Sequence, residues 1–224
     1  MNAAGLNALR RNSKQARQIE NLLSGLQTTR PVTNFVRVMG TSWATKNTIR
    51  VGTKSAQLSA GTGPRRFSPV NAGKTKRSKF KILYGAADLA TASYEAIIRD
   101  RFDLDPARVL TPADYQTKCA VNVSRQPDQP LTLLDLTSGN AIRSGLPTDV
   151  IRYSNHQDGQ HFSEFVYCQM PYIDGFLYSS RFTNIACIGV YWRTVPKLTS
   201  GPKPLVLTGP IFGAVLAPWN IAVM

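Results

Sequence analysis

The chain has 224 residues and a mass of 24.6 kDa, which is the size of one domain with room for an extension. Hydrophobic residues make up 42% and charged residues 18%, which excludes disorder along the whole chain because disordered chains are poor in apolar groups. The net charge of +14 predicts a polyanionic or acidic partner.

The positive charge is concentrated in the first third of the chain. Residues 1–81 contain sixteen Lys and Arg and a single acid, Glu20, and so carry +15. Residues 82–224 contain eleven Lys and Arg against twelve Asp and Glu, and so carry −1. We predict a basic helical extension over residues 1–31 and one folded domain over residues 32–224.

Cysteine usage and hydropathy indicate the compartment. Cys119, Cys168 and Cys187 are few and far apart, which argues against a disulfide scaffold and fits a reducing compartment. With two His and no CxxC pair, no metal site is predicted. The longest apolar run, residues 211–224, is shorter than the roughly 20 residues of a membrane span. The first residues contain no apolar run of the kind that a secretory signal has, so we expect no such signal. We therefore expect a soluble cytoplasmic protein.

The hydrophobic pattern predicts an α/β or α+β fold in which several short strands form a mixed sheet and the helices are few. In chain order the predicted elements are a helix over residues 3–24, strands over 35–39, 48–51 and 80–84, a helix over 90–99, strands over 120–123 and 131–136, a helix over 160–169, and strands over 176–179, 185–192 and 210–216.

A glutamate in the second predicted helix is the first candidate for chemistry. Glu95 is one of three Glu in the chain and lies among Ala92, Ala96 and Ile97. A carboxylate near apolar surface requires a partner, such as an arginine or a ligand hydroxyl. The alternative is an ordinary surface pair with Arg99 at i+4.

A second candidate group follows the predicted strand over residues 176–179. Ser179, Ser180 and Arg181 stand at its end, where α/β proteins commonly bind ligands, and a hydroxyl with a guanidinium can hold a phosphate. The alternative is a strand-to-loop junction with a surface arginine. Arg66 by itself is a weak signal, because it is one of sixteen basic residues in the first third of the chain.

Taken together, four segments between about residue 32 and residue 192 resemble the RES family, which is named for its Arg, Glu and Ser. They are RRFSP at 65–69, Tyr84 with Glu95 eleven residues later, LLDL at 133–136, and DGFLYSSRF at 174–182 followed by a hydrophobic strand. Many members carry GGRWN where this chain has RRFSP, and the loop before Tyr84 is longer here. The motif arginine is assigned to Arg66, with Arg65 as the alternative.

The resemblance implies a fold like that of the ADP-ribosyltransferases and an enzyme that acts on NAD without a metal. RES proteins are toxins of bacterial toxin–antitoxin pairs, and the implied reaction is cleavage of the nicotinamide–ribose bond by hydrolysis or phosphorolysis. ADP-ribosylation of a protein is the alternative. The residues implied are Arg66, Glu95 and Ser180 as catalytic, and Arg66, Tyr84, Ser180, Arg181 and Asn184 as NAD-binding.

The resemblance also implies a cognate, DNA-binding antitoxin, and the charge distribution predicts that its contact surface is acidic. Two other classes stay open. A nucleic-acid-binding protein would use residues 1–81 and would lose salt-dependent DNA binding on deletion of residues 1–31. A RES-like scaffold would bind partners and leave NAD intact.

Overall fold

The structure is a computed structural model of the chain. It describes residues 13–28, 33–44, 56–60, 63–70, 72, 79–99, 109–137, 139, 142, 156–201 and 203–224. The predicted strand over 48–51 and residues 3–12 of the first predicted helix lie outside these ranges.

The described strands form one large mixed sheet and one small pair. In chain order they are β1 (Gln27–Thr28), β2 (Asn34–Gly40), β3 (Ile82–Ala86), β4 (Val109–Leu110), β5 (Lys118–Arg125), β6 (Leu133–Asp135), β7 (Gly175–Ser179), β8 (Ala186–Tyr191), β9 (Leu198–Ser200), β10 (Leu205–Val206) and β11 (Ala222–Val223). The large sheet runs β1-β6-β7-β8-β3-β2-β5-β10, with β9 also paired to β5. Its neighbours are antiparallel except β6 and β7, and β4 pairs with β11 in parallel.

Helices are fewer and mostly short. They are α1 (Ser13–Ser24), α2 (Thr41–Ala44), α3 (Leu89–Ser93) continued by a π-helical turn (Tyr94–Ile98), α4 (Pro112–Tyr115), α5 (Gln157–Gln169) and α6 (Gly209–Leu216). Single 3-10 segments occur at Ala56–Leu58, Trp192–Lys197 and Ala217–Trp219. A mixed sheet with few helices confirms the predicted α+β class.

The large sheet is apolar on both faces. In β3, Ile82 packs in the cluster that contains residues of α5 and α1, whereas the next residue, Leu83, packs in a different cluster because successive strand residues point to opposite faces. From α5, Phe162, Phe165 and Val166 cover the first face at i, i+3 and i+4 spacing. Strands that are buried on both faces have continuous apolar sequences. For this reason, the short apolar runs in the sequence predicted the positions of these strands.

Part of the predicted N-terminal extension packs on the domain. Ile19, Leu23 and Leu26 belong to the same buried cluster as the residues of α5, and Gln27–Thr28 pairs with β6. The boundary near residue 32 stays a prediction. No helix among the described residues is both long and apolar enough to cross a membrane.

The predicted strand over residues 210–216 is wrong, because these residues belong to helix α6. The helix starts after Thr208, has Pro210 in its first turn, and buries Phe212 and Leu216 at i,i+4 spacing. Proline fits the first helical turn, where its missing N–H leaves no hydrogen bond broken. The run is apolar on every side, so hydrophobic periodicity could not distinguish a strand from a helix there.

Candidate functional site

A cavity of about 230 Å³ lies where β2, β3, α3 with its π turn, and the segment after residue 63 meet. Its described lining residues are Arg37, Val38, Gly63, Arg65, Arg66, Ser68, Ile82, Tyr84, Gly85, Ala92, Glu95, Ala96, Arg99 and Tyr178. Four of these are arginines, and Glu95 is the one acidic residue among them. The cavity therefore combines a strongly positive wall with a single carboxylate.

Three of the residues predicted for the site line this cavity, and a fourth is hydrogen-bonded to one of them. Arg66, Tyr84 and Glu95 are in the wall. Ser180 is buried behind it, and its Oγ donates a hydrogen bond of 2.8 Å to Glu95 Oε1. The structure thus brings together groups from four separate segments of the chain.

Glu95 projects from the π-helical turn. Asp88 caps the start of α3 by accepting a 2.7 Å hydrogen bond from the Thr91 backbone N–H. After Ser93 the helix widens, and the Arg99 N–H donates to the Tyr94 carbonyl five residues back. The predicted uninterrupted helix over 90–99 is therefore part α and part π. Single π turns occur frequently at functional sites, and nothing in the sequence pattern signalled this one.

Both carboxylate oxygens of Glu95 have a partner. Oε1 accepts from Ser180, and Oε2 lies 3.5 Å from Nη1 of Arg99, the i+4 pair that the sequence predicted as an alternative. The Glu95 side chain is 18% exposed, so it is largely enclosed but reachable from the cavity. An ionised carboxylate has about four lone-pair directions, so two partners leave capacity for the hydroxyl of a ligand.

The Ser180 hydroxyl is oriented by its own turn. Its Oγ accepts backbone N–H bonds from Phe182 at 3.2 Å and Thr183 at 3.5 Å, so the hydroxyl hydrogen is left for Glu95. The Thr183 hydroxyl lies 3.1 Å from that of Thr91 on α3. The turn after β7 is therefore attached to α3 at two points, and it holds the carboxylate in one orientation.

Arg181 and Asn184 do not line the cavity. Asn184 has a φ of 56°, a left-handed conformation that Asn tolerates better than most residues, and its N–H closes the turn on the Ser180 carbonyl at 3.0 Å. Arg181 places its guanidinium carbon 4.6 Å from the ring centre of Phe182. The geometry gives Asn184 a role in the shape of the turn, and NAD binding by either residue stays a prediction.

The segment that carries Arg66 is anchored by the next residue. Phe67 is fully buried, and its ring stacks on Phe176 with centroids 4.5 Å apart. Ser68 Oγ accepts from the Arg65 N–H at 3.1 Å and donates to the Gly63 carbonyl at 3.0 Å. Because the residues on both sides of Arg66 are held in place, Arg66 has a defined position in the cavity wall.

Helix α5 supports the same segment from outside, through a glycine that sequence reasoning missed. A Cβ at Gly159 would lie 2.6 Å from the carbonyl oxygen of Arg66 and 3.0 Å from its Cγ. Gln160 Nε2 donates to the Arg65 carbonyl at 3.2 Å. A glycine inside a helix destabilises the helix by about 1 kcal/mol relative to alanine. Its presence in the predicted helix could therefore have indicated a close contact at this position.

Tyr84 connects the central sheet to this segment. Its hydroxyl accepts the Phe67 N–H at 2.9 Å, and its ring lies against Gly189 of β8, the residue paired with it in the sheet. Burial raises the pKa of Tyr84 to about 12, so the phenol is protonated at neutral pH. The hydroxyl positions the Arg66 segment while the ring forms part of the cavity wall.

Arg37 is a lining residue that sequence reasoning missed. It lies in the middle of β2 with 9% of its surface exposed, and its Nη1 donates to the Gln57 carbonyl at 3.4 Å. Burial lowers the pKa of Arg37 to about 10, which leaves the guanidinium charged at pH 7. The arginine within the apolar run FVRVM could have indicated a binding site, because a buried charge requires a partner.

One titratable group beside the arginines carries no charge. Burial, followed by the nearby Arg99 and Arg66, lowers the pKa of His156 to about 4, so its imidazole is neutral at pH 7. His156 directly precedes α5 and adds nothing to the positive wall. Among the described residues, no group of three or more His, Cys, Asp or Glu is placed to hold a metal ion.

Comparisons with known proteins agree with the fold. The family model described as RES domain matches residues 35–212, and the chain belongs to this family. A 78-residue stretch is 36% identical to the probable toxin y4kH of Sinorhizobium fredii (strain NBRC 101917 / NGR234). That stretch spans 34% of this chain and 61% of the length of that protein.

The fold also has a solved counterpart. A chain of the crystal structure of the M. tuberculosis MbcT–MbcA toxin–antitoxin complex superposes with a TM-score of 0.59 and 15% sequence identity. The superposition covers 89% of this chain and 97% of that chain. At this identity the likeness shows a shared fold.

Proposed function

We propose that this chain is a toxin that binds NAD in the cavity and breaks the bond between nicotinamide and ribose. The observation that carries the proposal is the enclosed Glu95 carboxylate, oriented by Ser180, in a wall with four arginines. Membership of the RES family supports the proposal, as does a relative named as a probable toxin.

The arginines supply the charge that a dinucleotide needs. NAD carries two negative phosphates, and guanidinium groups bind phosphate oxygens through paired N–H donors. Arg66 and Arg37 are the phosphate contacts in this proposal, with Arg65 beside them. A cavity of about 230 Å³ is smaller than the roughly 300 Å³ at which complete ligand pockets begin, so in this proposal it receives the nicotinamide–ribose end of NAD with the phosphates beside it.

Glu95 is the catalytic group in this proposal. As the carbon–nitrogen bond breaks, its electron pair leaves with nicotinamide and positive charge grows on the ribose. A preorganised carboxylate stabilises that charge without reorganisation. Ser180 and Arg99 occupy one direction on each oxygen of Glu95, which leaves the other lone pairs for the ribose hydroxyls and the reacting carbon in this proposal.

The acceptor decides the product. In hydrolysis, a water oxygen bonds to the ribose carbon and its proton passes to solvent, which yields ADP-ribose. Phosphate as the acceptor yields ADP-ribose 1″-phosphate, and a protein side chain yields a modified protein. We place hydrolysis or phosphorolysis first and ADP-ribosylation of a protein second.

The test is incubation of purified, partner-free protein with NAD, with and without phosphate, followed by quantification of nicotinamide and identification of the second product. We expect one nicotinamide to be released for each NAD consumed, because each cleavage of the nicotinamide–ribose bond frees one nicotinamide. Free ADP-ribose, its 1″-phosphate and modified protein distinguish the three acceptors. Full retention of NAD by folded protein would refute the proposal.

A cognate antitoxin completes the proposed function, because a cell that makes an NAD-degrading enzyme must restrain it. The solved counterpart is a toxin–antitoxin complex, which supports a protein partner. We propose that the partner is DNA-binding and presents an acidic surface to the arginines around the cavity. Opposite charges accelerate encounter, and salt weakens this attraction.

This partner is testable with the product of the neighbouring open reading frame. Co-expression and pull-down at low and high salt should show a complex that forms faster at low salt and in which NAD cleavage is blocked. A neighbour that protects cells without binding the chain, or that binds it and leaves NAD cleavage unchanged, contradicts the prediction.

A further inference from the structure

The cavity wall contains a buried phenol whose hydroxyl has no hydrogen-bond partner among the described residues. Tyr178 of β7 lines the cavity and is 5% exposed. Its contacts with Phe67 and Arg66 are made by the ring. The hydroxyl of Tyr84 in the same wall, by contrast, accepts the Phe67 N–H. An enclosed hydroxyl without a partner destabilises the folded protein, so its presence in a cavity wall indicates a ligand group that completes it.

Tyr178 faces the same side of the sheet as the groups of the site. It belongs to the buried cluster of Phe176, and Tyr84 packs against that cluster. Ser180 follows Tyr178 by two residues and is still bonded across to the next strand, through its N–H and the Ile185 carbonyl. Side chains two residues apart on an extended strand point to the same face. Tyr178 therefore lies on the side where Ser180 holds Glu95.

The ring of Tyr178 has a defined position. Phe67 meets it nearly edge to face, with centroids 5.3 Å apart. The guanidinium carbon of Arg66 lies 5.7 Å from the centre of the Tyr178 ring, within the range of a cation–π contact. Because the ring is held on these sides, the hydroxyl at its end is preorganised for a ligand.

The Tyr178 hydroxyl is a donor at neutral pH. Burial, followed by the nearby Cys187 and Glu95, raises the pKa of Tyr178 well above its usual value, so the phenol keeps its proton. Tyr178 and Glu95 both line the cavity, yet the phenol makes no hydrogen bond to the carboxylate. A ligand hydroxyl between them can accept a hydrogen bond from Tyr178 and donate one to Glu95, because a hydroxyl carries one donor and two acceptor lone pairs.

Resting on the proposed function, we propose that Tyr178 is a substrate-binding residue whose O–H donates to the hydroxyl of the nicotinamide ribose that itself donates to Glu95. The bridging hydroxyl would fix the sugar against the carboxylate in the orientation that cleavage requires. A site built to bond a hydroxyl rejects an analogue that lacks it, because its own polar groups are then left unpaired. Tyr178 would thus select NAD over deoxy analogues.

The test compares the parent protein with Tyr178→Phe on three substrates: NAD and the two analogues that lack either the 2″- or the 3″-hydroxyl of the nicotinamide ribose. We expect Tyr178→Phe to lower kcat/KM for NAD by about tenfold, the effect of one lost hydrogen bond. The same loss should appear with the analogue that keeps the bridging hydroxyl. With the analogue that lacks this hydroxyl, parent and variant should be equal.

Thermal unfolding supplies a second readout, with Tyr115→Phe as the matched control. The Tyr115 hydroxyl donates to the Met224 carbonyl at 2.6 Å, and Tyr115 is not among the lining residues. Tyr115→Phe should keep the parental rate and lower the midpoint of unfolding, because it removes a made hydrogen bond. Tyr178→Phe should show the opposite pattern, a lower rate with a midpoint that is unchanged or higher.

The outcomes separate this assignment from the proposed function. A folded parent protein that leaves NAD intact refutes the proposed function, and the assignment of Tyr178 with it. If the parent cleaves NAD and Tyr178→Phe does so equally well, only the assignment of Tyr178 is wrong. An equal loss on all three substrates, or a lower unfolding midpoint for Tyr178→Phe, also overturns it, since the hydroxyl would then serve the fold.

Discussion

Replacing Glu95 by Gln is expected to slow NAD cleavage by about 100- to 1000-fold while the fold is kept. Glutamine has nearly the same volume, and its carbonyl oxygen can still accept the 2.8 Å hydrogen bond from Ser180. What disappears is the negative charge that faces the ribose in the proposed mechanism. The ion pair with Arg99 is also lost, and because both side chains are largely enclosed we expect a lower midpoint of thermal unfolding for a protein that still folds.

The measurement is the rate of nicotinamide release together with the midpoint of thermal unfolding. Glu20→Gln is the control, since Glu20 lies on α1 and contacts Tyr172, outside the cavity. We expect it to retain the parental rate. If Glu95→Gln cleaves NAD like the parent protein, Glu95 is an ordinary helix residue and the proposed mechanism fails.

Replacing Gly159 by Ala is expected to reduce NAD cleavage by about tenfold or more, mainly through a higher KM. The new methyl group would lie 2.6 Å from the Arg66 carbonyl, so α5 and the Arg66 segment must move apart. Arg66 is a phosphate contact in the proposal, so its displacement weakens substrate binding. The helix-propensity gain of about 1 kcal/mol is offset by this clash.

Gly213→Ala in α6 is the matched control. It is the same substitution inside another helix, and the new Cβ would have no atom within 4 Å. We expect parental activity and a gain in stability of up to about 1 kcal/mol. A Gly159→Ala protein with parental KM would show that α5 does not position Arg66.

The sequence by itself determined the fold class and the family, and three of the residues that it predicted for the site, Arg66, Tyr84 and Glu95, line the cavity. The strands predicted over 80–84, 120–123 and 176–179 overlap β3, β5 and β7. These predictions succeeded because central strands, which are buried on both faces, have short continuous apolar sequences. The segments around Arg66, Tyr84, Glu95 and Ser180 identified the family in advance. Each of these signals is local, because it depends on neighbouring residues in the chain.

Only the tertiary structure decided which groups share the cavity. The Ser180–Glu95 hydrogen bond joins residues 85 positions apart. The inward position of Arg37 and the contact of Gly159 with Arg66 depend on how strands and helices pack, which no local pattern encodes.

The same limit explains the errors in detail. An apolar run such as residues 210–216 lacks a polar side to set its period, so its helical form depends on what it packs against. The π turn over Tyr94–Ile98 that carries Glu95 likewise has no signal in the local sequence. Local sequence patterns predicted Arg66, Tyr84 and Glu95, which line the cavity, and long-range packing set their distances and orientations.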